Sequence, residues 1–439
     1  MRSLRSQPPN KDKIMNSTVS IPDKNNQNTQ KIFNATVIVA ALGYFVDVYD
    51  LILFLIIGKT SLAELYPSWT SAQILENFQH LLDLQMLGML TGGIAWGIIG
   101  DKKGRLAVLF GSIICYSLAN LANAFVTDMR TYEILRFVAG FGLAGELGAG
   151  VCLVAELMDR NKRGLGTMIV ASVGVLGAVA AALVSQFISW QTSYLIGGVL
   201  GLGLLILRMG TFESAMFKQR RDPNIRMGNF GMMFSNRERF ARFLQAILLG
   251  LPTWFVIGLL VARAPEIAKA LHVQGAEIPG TIAQSMCILL AYSGLVLGDL
   301  ASGTASQLLR SRKKAFALFY VICTLTIITY LNLHNVSSTV FYSVIFLLGF
   351  SVGFWALFVT NASEQFGTNL RATSAISVPN FARGSLVPIA WIYKQVMIAT
   401  GGSMIASFFW VGGGIMLITF ITLYFVKETF SRDLDFYEK

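Results

Sequence analysis

Long apolar runs alternate with short charged ones from residue 32 almost to the C-terminus. Met86 to Ile99 and Leu106 to Val126 carry no charge at all, and the second run is close to the roughly 20 residues that a helix needs to cross a bilayer core. Between them lies Gly97-Ile98-Ile99-Gly100-Asp101-Lys102-Lys103-Gly104-Arg105. Its charged residues cannot rest in hydrocarbon, so the chain must turn there at a membrane surface. Repeating this reading places spans near 32–58, 80–100, 106–126, 132–157, 165–187 and 191–212, then near 240–262, 281–303, 314–333, 338–361, 373–397 and 404–426. The predicted fold is an all-α membrane protein of twelve transmembrane helices in two six-helix halves.

The cations decide the orientation. Lys102, Lys103 and Arg105, then Arg160, Lys162 and Arg163, and later Arg310, Arg312, Lys313 and Lys314 fall in loops on one side, which the positive-inside rule makes cytoplasmic. Six cations before the first span hold the N-terminus on that side, and an even number of spans returns the C-terminus to it. The expected boundaries are a disordered cytoplasmic tail 1–30, a first half 31–213, a cytoplasmic linker 214–238, a second half 239–427 and a tail 428–439. Two halves of similar length suggest an internal repeat around a midplane site. In the second half, Gly303 to Arg312 keeps the first glycine and the basic end of the hairpin but has Gln307 where the first half has Asp101.

Only 13% of the 439 residues are charged, about half the share in soluble domains, and 54% are hydrophobic, which supports the membrane reading. The net charge of +11 belongs to interspan loops rather than to a face for nucleic acid. Cys115, Cys152, Cys287 and Cys323 each lie inside an apolar run without paired spacing, and the three histidines are far apart, so no disulfide framework, metal site or cofactor is expected.

Ionisable residues inside spans are costly and point to function. Asp47 and Asp50 stand three apart on one face of the first span, flanked by Tyr44 and Tyr49. Glu146 sits in the fourth span between Gly142 and Gly150, Asp299 in the eighth, and Arg383 in the eleventh, one turn from Asn380. Buried carboxylates of this kind can exchange protons, so Asp47, Asp50, Glu146 and Asp299 are candidates for proton coupling. Arg383 has the fork geometry to hold an anion, with Tyr44, Tyr49, Glu146 and Asn380 as further substrate contacts. Structural pairing of the acids with Arg136 or Arg383 is the alternative. The tryptophans Trp96, Trp254, Trp355, Trp391 and Trp410 are expected at interfaces or in packing.

The hairpin residues Gly97, Asp101, Gly104 and Arg105 resemble the loop signature of the major facilitator superfamily. Arg136 to Glu146 followed by Glu156 and Arg163-Gly164, Phe212-Glu213-Ser214 after the sixth span, and Glu364-Gln365-Phe366-Gly367 with Arg371 are similar to its metabolite:proton, sugar-porter and phosphate:proton branches. That resemblance implies ion pairs Glu156–Arg163 and Glu364–Arg371 at a closed inner gate, and protonation of the first-span aspartate and the fourth-span acid. Gly367 stands where a proline is usual in that signature, and no set of glutamines for sugar appears in the seventh span.

The expected function is therefore a proton-coupled symporter for a small polar, anionic metabolite, working by alternating access in a bacterial inner membrane. Its partners are substrate, protons and lipid, with no nucleic acid, and the chain is expected as a monomer. Proton-coupled efflux of amphiphilic or cationic compounds is the alternative. Enzyme chemistry is not expected, because no histidine–acid pair or metal cluster is legible.

Overall fold

A computed structural model of the chain describes residues 24–157, 163–212, 230–278, 280–430 and 437–438. Among them there are helices and connecting turns but no strand. The first group of helices is α1 (Lys24–Leu65), α2 (Ser71–Lys103), α3 (Arg105–Asn123), α4 (Met129–Leu143), α5 (Glu146–Leu157), α6 (Arg163–Val184) and α7 (Trp190–Phe212). The second is α8 (Arg237–Leu248), α9 (Leu251–Phe255) with a π-helical turn Val256–Val261, α10 (Ala264–Ala270), α11 (Gln284–Leu308), α12 (Arg312–Leu331), α13 (Ser338–Ser351), α14 (Trp355–Glu364), α15 (Arg371–Gly384), α16 (Leu386–Ala399) and α17 (Met404–Phe425).

Ten helical stretches among the described residues are long and apolar enough to cross a bilayer, and Met168–Val184 is a shorter apolar helix. The place expected for a span at 373–397 is taken by α15 and α16, which break at Ser385. Helix α15 carries Arg371, Thr373, Ser374, Ser377, Asn380 and Arg383, all buried, so it is too polar to pass as a lipid-facing span. Helix α1 reaches back to Lys24, into the stretch that composition reads as a disordered tail; residues 1–23 of that tail, 213 at the end of the first half and 214–229 of the linker lie outside the described residues.

Glycine decides how closely the helices approach, and it does so twice in the same way. A Cβ on Gly88 or Gly92 of α2 would run into the carbonyls of Phe137 and Phe141 on α4, and one on Gly140 into the carbonyl of Gln85. In the second group, Gly294 and Gly298 of α11 meet the carbonyls of Phe346 and Phe350, and Gly349 meets Ala291. Small residues that let two backbones touch are the usual glue of membrane helices. The same glycine–phenylalanine lock at matching positions is the imprint of an internal repeat, and it aligns Gly97 with Gly303.

The repeat extends to the helix breaks. Helix α4 ends at Leu143 and α5 starts at Glu146; α13 ends at Ser351 and α14 starts at Trp355. Interrupted helices at matching positions of two repeats mark the region where transport folds build their sites. The two groups of helices meet along α2 against α15 and along α6 against α11.

Candidate functional site

Between these seams lies a small, partly open cavity lined by Tyr44, Val48 and Leu51 of α1, Thr253, Trp254 and Ile257 around α9, Tyr292 of α11, and Trp355 and Arg383. Its walls are mostly apolar or aromatic, and Arg383 is its one charged lining residue. The Arg383 guanidinium carbon lies 5.6 Å from the centre of the Trp355 ring, and Trp254 meets Trp355 edge to face at 6.1 Å. Nη1 of Arg383 donates to Asn380 Oδ1 at 3.2 Å. No carboxylate among the described residues pairs with it within 4.0 Å. The planar fork of a guanidinium matches a carboxylate or phosphate in shape.

The carboxylates around the cavity have separate surroundings. Asp47 is fully buried, neither of its oxygens finds a hydrogen bond, and Arg383, Glu146, Asp50 and Arg208 act on it electrostatically. Asp50 also has no hydrogen bond for either oxygen, and it lies in the reach of Arg136 and Asn120 instead. The shared helix face therefore divides: Asp47 lies in the electrostatic reach of Arg383, and Asp50 in that of Arg136 within the first group.

Arg136 is fully buried, bonded to Asn123 Oδ1 at 3.2 Å and Asn120 Oδ1 at 3.1 Å, and ringed by Phe54, Tyr132 and Tyr194 with its guanidinium 4.9–5.8 Å from the ring centres. Asp299 accepts from the Ala356 N–H at 3.1 Å, so its carboxylate caps the start of α14 while Oδ2 has no partner.

Glu146 has a partner that the sequence reading did not weigh. Arg208 of α7 pairs with it through both guanidinium nitrogens, and Nη1 also donates to the Leu109 carbonyl at 3.2 Å. Ser112 donates to the same carboxylate at 3.5 Å. The pair fits because position 43 is glycine: a Cβ there would collide with both partners. Arg136, ten residues before Glu146 and too far along the span to pair with it, is bonded to Asn120 and Asn123 instead.

Other expectations shift as well. Tyr44 lines the cavity, but the Tyr49 hydroxyl donates to the Ser193 carbonyl at 3.2 Å and faces α7. Trp254 and Trp355, expected to pack, are cavity walls, whereas Trp391 and Trp410 are exposed on the outside of the bundle. Glu364 pairs with Arg312 at 3.1 Å, and Arg371 donates to Thr368 at 3.3 Å, so the expected Glu364–Arg371 contact gives way to Glu364–Arg312. The side chains of Glu156 and Arg163 lie outside the described residues.

The hairpin closes one end of the molecule. Asp101 accepts from Arg105 at 3.1 Å on its own side and, across the seam, from the N–H groups of Ala372 at 3.1 Å and Thr373 at 2.9 Å and from the Thr373 hydroxyl at 2.5 Å. A carboxylate on the free N–H groups of the first turn of α15 is a cap supplied from another helix. Gly97 permits it, because a Cβ there would press on the Thr373 backbone at 3.0 Å, and Gly104 turns the chain with φ 99°. At the other end, Lys59 of α1 pairs with Glu266 of α10 at 2.8 Å.

Asp101→Ala is expected to loosen the α2–α15 seam by about 1 kcal/mol or more. The readout is faster maleimide labelling of a cysteine placed at Ile376, which is buried in that seam. Labelling at the parental rate would show that the seam is held elsewhere.

A helical membrane bundle with a repeated lock, matching helix breaks and a central cavity tied at both ends is a carrier rather than an open pore. The sequence model of the Major Facilitator Superfamily matches residues 40–391, and the chain belongs to that family. It is 25% identical over 410 residues to a Bacillus subtilis (strain 168) protein named for niacin/nicotinamide transport, covering 90% of this chain and 96% of that one. It is 25% identical over 414 residues to the cis,cis-muconate transport protein of Acinetobacter baylyi, covering 89% and 93%. The 3-(3-hydroxy-phenyl)propionate transporter of Escherichia coli (strain K12) is 27% identical over 249 residues, covering 51% and 60%. The chain is thus a multi-pass membrane transporter of metabolites and not an enzyme.

Proposed function

We propose that this transporter carries a small carboxylate with a flat, aromatic or unsaturated body, together with a proton, by alternating access between the helix groups 31–213 and 239–427. The observation that carries the reading is Arg383: a buried cation on an aromatic cavity, hydrogen-bonded to Asn380 and, among the described residues, to no carboxylate. Trp254, Trp355, Tyr44 and Tyr292 supply flat walls for the body of such a ligand. Three relatives are named for niacin/nicotinamide, muconate and a phenylpropionate; niacin, muconate and the phenylpropionate are carboxylates with aromatic or unsaturated bodies, and nicotinamide is the uncharged amide of the first.

Proton coupling follows from charge balance. Asp47 and a bound carboxylate compete for one guanidinium, and two anions in that space are unfavourable. A substrate anion therefore enters as Asp47 takes up a proton, and Asp47 gives the proton up as the substrate leaves. Arg383 has a counter-charge at both stages. The basic end of the bundle, with Lys102, Lys103, Arg310 and Lys313, is the cytoplasmic one in this reading.

Proteoliposomes with an imposed inward proton gradient test it, using nicotinate as the probe. One-to-one coupling predicts about tenfold accumulation per unit of pH difference. Asp47→Asn is expected to abolish that accumulation while leaving exchange of labelled for unlabelled nicotinate. Accumulation that persists in the variant would remove Asp47 from the coupling.

A further inference from the structure

Asn380 is bonded on three sides. Its Oδ1 accepts from Arg383 at 3.2 Å, and its Nδ2 donates to the Ala144 carbonyl and the Ile376 carbonyl, both at 2.7 Å. Ile376 is on its own helix, but Ala144 belongs to the other helix group, in the break between α4 and α5 that presents Glu146. The amide thus ties the substrate cation to the interface between the two groups. Close approach of the backbones allows this, since a Cβ on Gly93 of α2 would stand 2.9 Å from the Asn380 Cβ. On the same helix α15, Thr373 receives Asp101, so the seam has one tie at its cytoplasmic end and one beside the cavity.

The two Nδ2 bonds at 2.7 Å and the contact from Arg383 to Oδ1 at 3.2 Å together fix the plane of the amide, and the Arg383 contact is the one that a change of charge in the cavity can remove. The titratable groups in the electrostatic reach of Arg383 are Tyr44 and Asp47 from α1 and Tyr292 from α11; Asp299 of α11 acts on Tyr44, and Glu146, Asp50 and Arg208 act on Asp47. Asp299 is already engaged at the start of α14. The arginine can therefore be drawn off Asn380 by a substrate carboxylate or by ionised Asp47. When Asp47 holds a proton and the cavity is empty, neither pull exists. In this structure Arg383 rests on Asn380.

We infer that Asn380 is an interlock that keeps the α2–α15 seam shut when the carrier holds a proton but no substrate. It is a positioning residue, acting through Arg383 and the Ala144 carbonyl. Its effect is to prevent a proton from crossing alone, which a symporter requires, and the inference rests on the coupling reading above.

The test measures proton entry into substrate-free proteoliposomes that hold a pH-sensitive dye, with the membrane potential clamped. Asn380→Ala is expected to raise the leak about tenfold, the factor set by losing a buried hydrogen bond of this kind. It should also raise the number of protons entering per nicotinate. Adding Asp47→Asn to that variant should remove the leak, because the proton then has no carrier. An Asn380→Ala protein that takes up nicotinate and stays as proton-tight as the parent overturns the interlock. Should the alanine variant fail to fold, Asn380→Gln is measured instead, since it keeps the amide but displaces it from the Ala144 carbonyl. Gradient-driven accumulation that survives Asp47→Asn alone overturns the coupling reading itself, and is scored separately from the leak.

Discussion

Arg383→Gln is expected to weaken nicotinate binding by about two to three orders of magnitude, the usual consequence of deleting one partner of a buried charged contact. The protein itself should survive the change. Arg383 lines a cavity, and its hydrogen bond to Asn380 and its position over Trp355 are its contacts there, so its loss opens no void in a packed core. Thermal shift reads the loss of binding: a ligand at 100 times the parent's dissociation constant adds about 2.7 kcal/mol to the parent and no more than about 0.4 kcal/mol to the variant. Arg383→Lys separates charge from geometry, because an ammonium keeps the attraction but not the planar fork that matches a carboxylate. Nicotinate stabilisation that is equal in parent and glutamine variant would take the anion site away from Arg383.

How far the sequence led is clearest residue by residue. The hairpin was legible because a charged turn between two uncharged runs has one place to go, and Asp101 does reach a helix N-terminus across the interface. Arg383 and Asn380 could be found because polar side chains inside a span are rare. The eleventh span itself reads poorly as a membrane helix, since α15 packs against the rest of the protein and needs little apolar surface. Its chemistry showed more plainly than its boundaries.

Other features escaped because they need a partner to be seen. The lock of Gly88 and Gly92 on Phe137 and Phe141 is written on two helices, and only superposing the two groups shows it repeated. Tyr44 and Tyr49 look equivalent beside the first-span acids, yet their azimuths send one to the cavity and the other to Ser193. Tryptophan is ambiguous by nature: Trp355 and Trp410 have the same composition around them, but one lines a site and the other lies on the outer surface. Arg208 is the instructive omission. A lone cation in Leu204-Leu205-Ile206-Leu207-Arg208 carries the same signal that singled out Glu146, and the two needed to be read together.

That pair sets the second large expectation, which is loss of folded protein in Glu146→Gln. Arg208 and Glu146 are both almost wholly buried, and breaking such a pair from one side costs about 3–5 kcal/mol because the remaining charge stays in low dielectric without a counter-ion. Arg208→Gln should suffer comparably, since it leaves a carboxylate beside Asp47. Replacing both by apolar residues of similar volume, as in Glu146→Leu with Arg208→Met, should recover much of the stability, because neither charge is then stranded. Gly43→Ala gives the same injury from the third helix, as its methyl group would displace both partners. Monodispersity and melting temperature in detergent follow the series. A structural pair predicts two damaged single variants and a rescued double one. A Glu146→Gln protein as stable as the parent, but deaf to the proton gradient, would instead move the proton from Asp47 to Glu146. The distinction matters for mechanism, since Asp47 competes for Arg383 directly, whereas Glu146 could act on the cavity only through α1 and the break at Ala144.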